Sequence, residues 1–365
     1  MKLTISKTEL ANAVNLVIRA TASRPSVPSL SGILITATKD GIEFFTSDLE
    51  TSIKTAANGI VEEEGQVAIA GKILSNIVKS LPETAVLLET DGELLCINAG
   101  QSAFAIRTIN TADFNEFPTI TSDQEISLSA ATLAGMVKKV SKAVSRDETR
   151  VVLTGVLLTI DGPSIKMVST DSFRLAVIEQ ISEQAYDTPF EALIPGKALD
   201  EIARMTSEND TITITVSQNQ VLFSFGTTAL ITRRLEGKFP NYQQLLPTEY
   251  TTKAIATHSE LLESVRRVSL LALNNAAINL AVSAENQTLH LDAKSQELGT
   301  AEENLMVKTE GEDNTISINY SYFIDGLSVI DSEFVSIEIQ DPLRPGIIRA
   351  PEENFTYLVM PVRSN

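Results

Sequence analysis

The chain has 365 residues, 47 Asp and Glu against 29 Lys and Arg, and a net charge of −18. Its one cysteine, Cys96, excludes a disulfide framework, and two histidines, His258 and His290, supply neither a metal cluster nor a nucleophile–base pair. No apolar run approaches the roughly 18 residues of a membrane span, and Met1 to Lys7 lacks a signal peptide's apolar core, so the chain reads as cytoplasmic, with no cofactor and no enzyme activity.

The elements follow from periodicity. Ser6-Lys7-Thr8-Glu9 forms a capping box ahead of Leu10, Val14, Val17 and Thr21 at helical spacing. Gly32 to Thr38 is rich in β-branched residues and predicts a strand, turned at Asp40-Gly41 and returning over Ile42 to Thr46. A second helix is predicted over Gly71 to Leu81, then strands at Val86–Glu89 and Glu93–Ile97 around the hairpin signal Asp91-Gly92. Leu133, Met136, Val137 and Val140 mark a third helix, and Leu199, Ile202 and Met205 a fourth. Thr211 to Val216 alternates as a strand, and Val221 to Phe225 returns. A capping box at Thr257 opens a fifth helix through Leu261, Val265 and Val268, with His258 exposed in its first turn. His290, between Leu289 and Leu291, faces solvent on a strand. Tyr320, Phe323 and Leu327 mark a sixth helix.

This order repeats three times. Phe117-Pro118, Phe239-Pro240 and Met360-Pro361 lie 122 and 121 residues apart. Ser31 to Thr36 aligns with Thr154 to Thr159, and Thr46-Ser47-Asp48 with Ser169-Thr170-Asp171. The expected fold is α+β: three tandem copies of a domain with two helices on antiparallel sheet, at 1–120, 126–245 and 247–365. Asp48 and Asp171 recur in different domains, so they cap turns rather than share a substrate.

Positive charge gathers on helices although the whole is acidic. Lys138, Lys139, Lys142 and Arg146 follow one another with no acid between Leu128 and Arg146, and Lys72 and Lys79 share a helix that has none. Such helices would draw a polyanion to one surface while the acidic remainder repels it elsewhere. With no tryptophan for base stacking, contact would be with phosphates and blind to sequence.

Thr170-Asp171-Ser172-Phe173-Arg174-Leu175-Ala176, Gly237-Lys238-Phe239-Pro240-Asn241-Tyr242 and Tyr357-Leu358-Val359-Met360-Pro361-Val362-Arg363, on the triplicated frame, resemble the bacterial DNA polymerase III β subunit, the sliding clamp, over the whole chain. The resemblance implies a head-to-tail homodimer ring, helices lining the hole and sheets outside, threaded by duplex DNA. It implies a non-catalytic processivity factor that tethers the replicative polymerase, with a clamp loader and other proteins carrying a clamp-binding motif as further partners. By resemblance, Arg24, Lys72, Lys138, Lys139, Lys142, Arg146, Lys197 and Arg204 contact DNA, with Asp147 or Glu148 as alternative partners for Arg146. A partner-peptide pocket would be formed by Leu153, Thr170, Ser172, Arg174, Leu175, Pro240, Gln244, Leu245, Leu358, Met360, Pro361, Val362 and Arg363. Phe104, Ile106, Leu270 and Leu271 would lie at the subunit seam. The sequence departs from relatives at Gln244, where some carry Arg, at Phe173, where histidine is common, and in ending Ser364-Asn365. The competing readings are a repeat scaffold that binds only proteins without encircling DNA, and an acidic hydrolase for which no carboxylate pair stands out.

Overall fold

The computed structural model describes residues 1–22, 25–120, 125–272 and 276–362, with backbone alone at 183, 184, 187 and 188. The first third runs β1 (Lys2–Ser6), α1 (Lys7–Val17), β2 (Gly32–Thr38), β3 (Gly41–Ser47), β4 (Thr51–Ala57), β5 (Gly59–Glu63), β6 (Gly65–Ala70), α2 (Gly71–Ser80), β7 (Ala85–Asp91), β8 (Leu94–Ala99) and β9 (Ser102–Arg107). The second runs β10 (Glu125–Ser129), α3 (Ala130–Ser141), β11 (Gly155–Thr170), β12 (Arg174–Pro195), α4 (Gly196–Met205), β13 (Thr211–Val216), β14 (Gln220–Phe225) and β15 (Thr228–Arg233). The third runs β16 (Thr252–Thr257), α5 (His258–Val268), β17 (Ala277–Ser283), β18 (Thr288–Ser295), β19 (Gly299–Met306), β20 (Lys308–Gly311), β21 (Asn314–Asn319), α6 (Tyr320–Leu327), β22 (Phe334–Ile339), β23 (Gly346–Ala350) and β24 (Phe355–Val359).

Local chemistry accounts for most boundaries. The Glu9 amide donates to Ser6 Oγ at 3.1 Å, capping α1, which buries Leu10, Val14 and Val17 and ends before Thr21. Thr257 differs from expectation: its side chain makes no cap bond to α5. His258 is half-buried rather than exposed, because its Nε2 donates to the Leu327 carbonyl at 2.9 Å and ties α5 to the end of α6. Asn319 caps α6, accepting from the Ser321 amide at 2.9 Å.

The repeat is exact enough to reproduce a strained turn. Asp48 Oδ1 accepts from the Glu50 and Thr51 amides at 3.1 and 2.7 Å, and Asp171 Oδ1 from the Phe173 and Arg174 amides at 2.9 and 3.0 Å. Between them Leu49 and Ser172 both take left-handed backbone, φ 77° and 81°. Just before each turn, the Thr46 and Ser169 hydroxyls donate to the Val17 and Val140 carbonyls, both at 2.5 Å, closing the ends of α1 and α3. The two carboxylates therefore serve as turn caps.

Two compact units result, 1–133 with 201–234, and 134–200 with 235–365. The first holds a five-stranded sheet, β5-β1-β7-β8-β9, and an eight-stranded sheet, β10-β13-β14-β15-β4-β3-β2-β6. The second holds a seven-stranded sheet, β11-β12-β24-β23-β22-β16-β20, and a four-stranded sheet, β19-β18-β17-β21. The units cut across the thirds because strands of neighbouring repeats pair. β4 joins β15 through Thr55↔Thr228, whose buried hydroxyls lie 2.8 Å apart, and β12 joins β24 through Leu175↔Leu358.

Candidate functional site

Period-two alternation gives the seven-stranded sheet two unlike faces. One carries Phe355 and Tyr357 and packs under α6, where a Cβ on Gly326 would stand 2.4 Å from the Tyr357 ring. On the other, Thr170, Leu175, Leu358 and Ile347 stand in direct cross-strand register, flanked by Val168 and Val177. Leu157, Leu193 and Phe239 complete this apolar cluster, with Val152, Leu235, Tyr242 and Leu246 packed against it. The segment after β15 is tied down by the Leu235 amide, which donates to the Leu193 carbonyl at 2.9 Å.

The structure thus brings Thr170, Leu175 and Leu358 together as a floor. Pro240, Gln244 and Leu245 are exposed on the segment whose Phe239, Tyr242 and Leu246 reach that cluster. Met360 is 38 % exposed and donates its amide to the Phe173 carbonyl, while half-buried Pro361 and Val362 run beside β21, the Val362 amide donating to Ser317 at 2.8 Å. Leu153 is buried in a 3-10 turn (Val151–Thr154), and its neighbour Val152 makes the contact with the cluster. Arg363 lies outside the described residues. Val177, Leu157, Leu193, Phe239 and Ile347 were missed from sequence, although strand alternation outward from Leu175 marks Val177 as sharing its face.

Arg174 corrects the expectation that it helps to form the pocket. One position from Leu175, it points to the opposite face, where Nε donates to Asp171 at 2.9 Å and Nη1 to Asp325 on α6 at 2.5 Å. Its guanidinium lies 4.4 Å from the centroid of Tyr322, which stacks on Phe173. Burial pulls Arg174 towards neutrality, but Tyr357, Asp325 and Asp171 outweigh it and hold the group above its ordinary value. Burial in turn pushes the Tyr357 hydroxyl up. Ser172 is exposed, its Oγ accepting from Arg150 at 3.0 Å.

The basic helices divide into free and engaged cations. Lys72, Lys79, Arg146 and Lys197 are exposed, with no carboxylate within 4.0 Å among the described residues. Asp147, a candidate partner for Arg146, is bound by Arg150 at 3.1 Å instead. Lys138 pairs with Asp331 at 2.9 Å, Lys142 with Asp325 at 4.0 Å, and Arg204 with Glu201 at 3.5 Å. Lys139 corrects the expected DNA set: its side chain is 8 % exposed, and its ammonium donates to Glu353 and to the Val329 carbonyl. Lying one position round α3 from Lys138, it enters the packed face. Arg24 lies outside the described residues.

Two sheet edges complete the inventory. β9 ends the five-stranded sheet, with Phe104 and Ile106 half-buried opposite Ile97 and Leu95, which are fully buried. β19 ends the four-stranded sheet, and the 3-10 turn Ser269–Leu271 packs against it, with Leu270 68 % exposed and Leu271 half-buried. On β19, Glu303 accepts from Arg267 at 2.5 Å and from Ser264 at 2.7 Å; Arg267 holds its carboxyl below the usual range.

Family models describing the DNA polymerase III beta subunit match end to end: N-terminal domain over 1–120, central domain over 127–241 and C-terminal domain over 243–363. The beta sliding clamp of Streptomyces coelicolor is 32 % identical, covering 100 % of this chain and 99 % of its own, and that of Bacillus subtilis 30 % identical over all of both. The crystal structure of the Bacillus subtilis sliding clamp superposes with a TM-score of 0.95 at 29 % identity, each chain covered in full. That of a beta subunit from Eubacterium rectale gives the same TM-score at 30 % identity, again over both whole chains.

Proposed function

The chain belongs to the bacterial DNA polymerase III beta-subunit family, the sliding clamps, and on that premise we propose that it is a non-catalytic processivity factor: a head-to-tail homodimer ring that encircles duplex DNA. The observation that carries this reading is a triplicated architecture that matches sliding clamps from end to end. Its domains are 1–120, 126–245 and 247–365. A ring held by topology needs only weak phosphate contacts, and base readout would stop it sliding. Lys72, Lys138, Lys197 and Arg204, exposed on helices, with Lys142 just past α3 and Arg146 in the loop that follows, supply such contacts.

The replicative polymerase, the clamp loader and other motif-bearing proteins dock by short peptides whose apolar side chains enter over Thr170, Leu175 and Leu358, with Pro240, Leu245, Met360 and Val362 around them. The seam forms between β9 of one protomer and β19 of the next, adding strand to strand. That pairing covers Phe104 and Ile106, which are half-buried at an open edge, and the exposed Leu270 beside β19.

The test is topological. The protein is loaded onto nicked circular DNA with its host's loader and ATP, then gel-filtered in high salt before and after the circle is cut. Retention on circles and loss on linearisation is the expected result. Binding that salt abolishes and cutting leaves unchanged would overturn the ring.

A further inference from the structure

Lys138 on α3 and Lys142, one residue past its end, stand exposed four residues apart, and both meet carboxylates from the third repeat. Asp331, just beyond α6, places Oδ1 2.9 Å from Lys138 Nζ, and Asp325 on α6 places Oδ1 4.0 Å from Lys142 Nζ. Each acid has a second cation on its other oxygen: Asp331 Oδ2 lies 3.6 Å from the buried Lys139, and the other oxygen of Asp325 is held by Arg174 at 2.5 Å. Lys138 holds the Asp331 carboxyl below the usual range despite burial pushing it up, so it remains charged at neutral pH. On α4, Glu201 binds Arg19 at 2.7 Å and Arg204 at 3.5 Å in the same way.

We propose that Asp331 and Asp325 set the affinity of this chain for duplex DNA, by occupying Lys138 and Lys142 so that each phosphate must displace a fixed carboxylate to gain its cation. This rests on the reading above that α3 faces DNA. Exposed pairs of this kind are weak and screened by salt, so phosphate can displace them, but each exchange returns less than capture of a free lysine. The acids thus hold the number of effective phosphate contacts low, which suits a ring that must move along its template. Asp331 is the cleaner position to alter: Asp325 anchors Arg174 at 2.5 Å, whereas the second cation at Asp331, Lys139 at 3.6 Å, keeps its pairing with Glu353 when Asp331 is neutralised.

The experiment is equilibrium binding of the full-length dimer to a fluorescent duplex across a salt series, for wild type, Asp331→Asn, Lys138→Gln, Lys142→Gln and the D331N/K138Q double variant. Freeing one lysine adds about one phosphate contact, steepening the log K against log salt slope by about 0.9, so the advantage of D331N grows about 3.5-fold over a fourfold fall in salt. K138Q and K142Q weaken binding, and the double variant loses the D331N gain. If K138Q and K142Q weaken binding while D331N matches wild type, the acids set nothing and the proposal falls. A D331N gain that survives K138Q would mean that Asp331 acts as distant repulsion, and overturns the pairing mechanism. No change in any variant would refute the placement of α3 on DNA, and this proposal with it.

Discussion

Lys139→Met tests whether the least exposed lysine of α3 is structural rather than DNA-facing. In the wild type its ammonium meets Glu353 and the Val329 carbonyl, and lies 5.7 Å from the centroid of the Phe355 ring. Methionine keeps most of the stem and leaves Glu353, whose side chain is 14 % exposed, without its cation. Breaking such a pair costs about 3–5 kcal/mol. Glu353 keeps donors from the Asp331 amide at 2.8 Å and from the Ser332 amide and hydroxyl at 2.5 Å, so the low end, about 3 kcal/mol, applies. Hydrogen exchange across 329–332 and 351–359 reads it, quickening on the order of 100-fold at about 1.4 kcal/mol per decade. Adding Glu353→Gln removes the stranded charge and restores part of the protection. Burial pushes the Glu353 carboxyl up, but Lys139, Ser332 and the Asp331 amide outweigh it and hold it below its ordinary value. Its stabilising contribution is therefore complete above the unfolded value of about 4.3 and drains as pH falls through the lower folded value, so the K139M penalty shrinks in acid. Exchange within threefold of wild type at pH 7 would refute the argument.

Gly326→Ala drives a methyl against the fully buried Tyr357 ring and costs about 1–3 kcal/mol, seen as a lower urea midpoint; an unchanged midpoint would contradict the packing. Leu245→Asp and Met360→Asp change exposed residues, so stability holds while binding of a short peptide bearing Leu and Phe falls on the order of tenfold in fluorescence anisotropy. Ile106→Asp puts a charge on the half-buried face of β9, and analytical ultracentrifugation should find folded monomer; an intact dimer would place the seam elsewhere.

Helices and hairpins were legible in the sequence because their signals are local. Ser6 and Glu9, Asp91-Gly92 and the alternation of Thr211–Val216 each specify geometry within a few residues, although the turn itself falls at Gly92-Glu93, with Asp91 paired to Leu94. The turn role of Asp48 and Asp171 was also legible, since the same residue at the same place in two repeats points to backbone chemistry. Pairing between repeats was not. Nothing near Thr55 announces Thr228, and the two hydroxyls meet only because β4 and β15, from different repeats, pair edge to edge. Arg174 was misplaced for a related reason: the motif names the residue, but alternation and the carboxylate of Asp325, 151 positions away, decide which face it takes. Lys139 failed likewise, its burial depending on Glu353.

These long-range carboxylates also reconcile a net charge of −18 with work on a polyanion. Were the acids merely an outer repellent layer, the helical cations would stand free, yet Lys138, Lys142 and Arg204 are each matched by a carboxylate. Asp325 acts twice, holding Arg174 beneath the turn that precedes Leu175 while meeting Lys142 just past α3. Glu353 likewise binds Lys139 and stands at the entry to β24, the strand that carries Leu358 to the apolar floor. The residues that pair with the cations of α3 and its C-terminal turn are thus the ones that seat the strands of the apolar floor. Replacing them for charge alone would disturb both surfaces, which is why Asp331, whose exposed carboxylate meets Lys138 at 2.9 Å and the buried Lys139 only at 3.6 Å, is the position where the electrostatic term is read most separately.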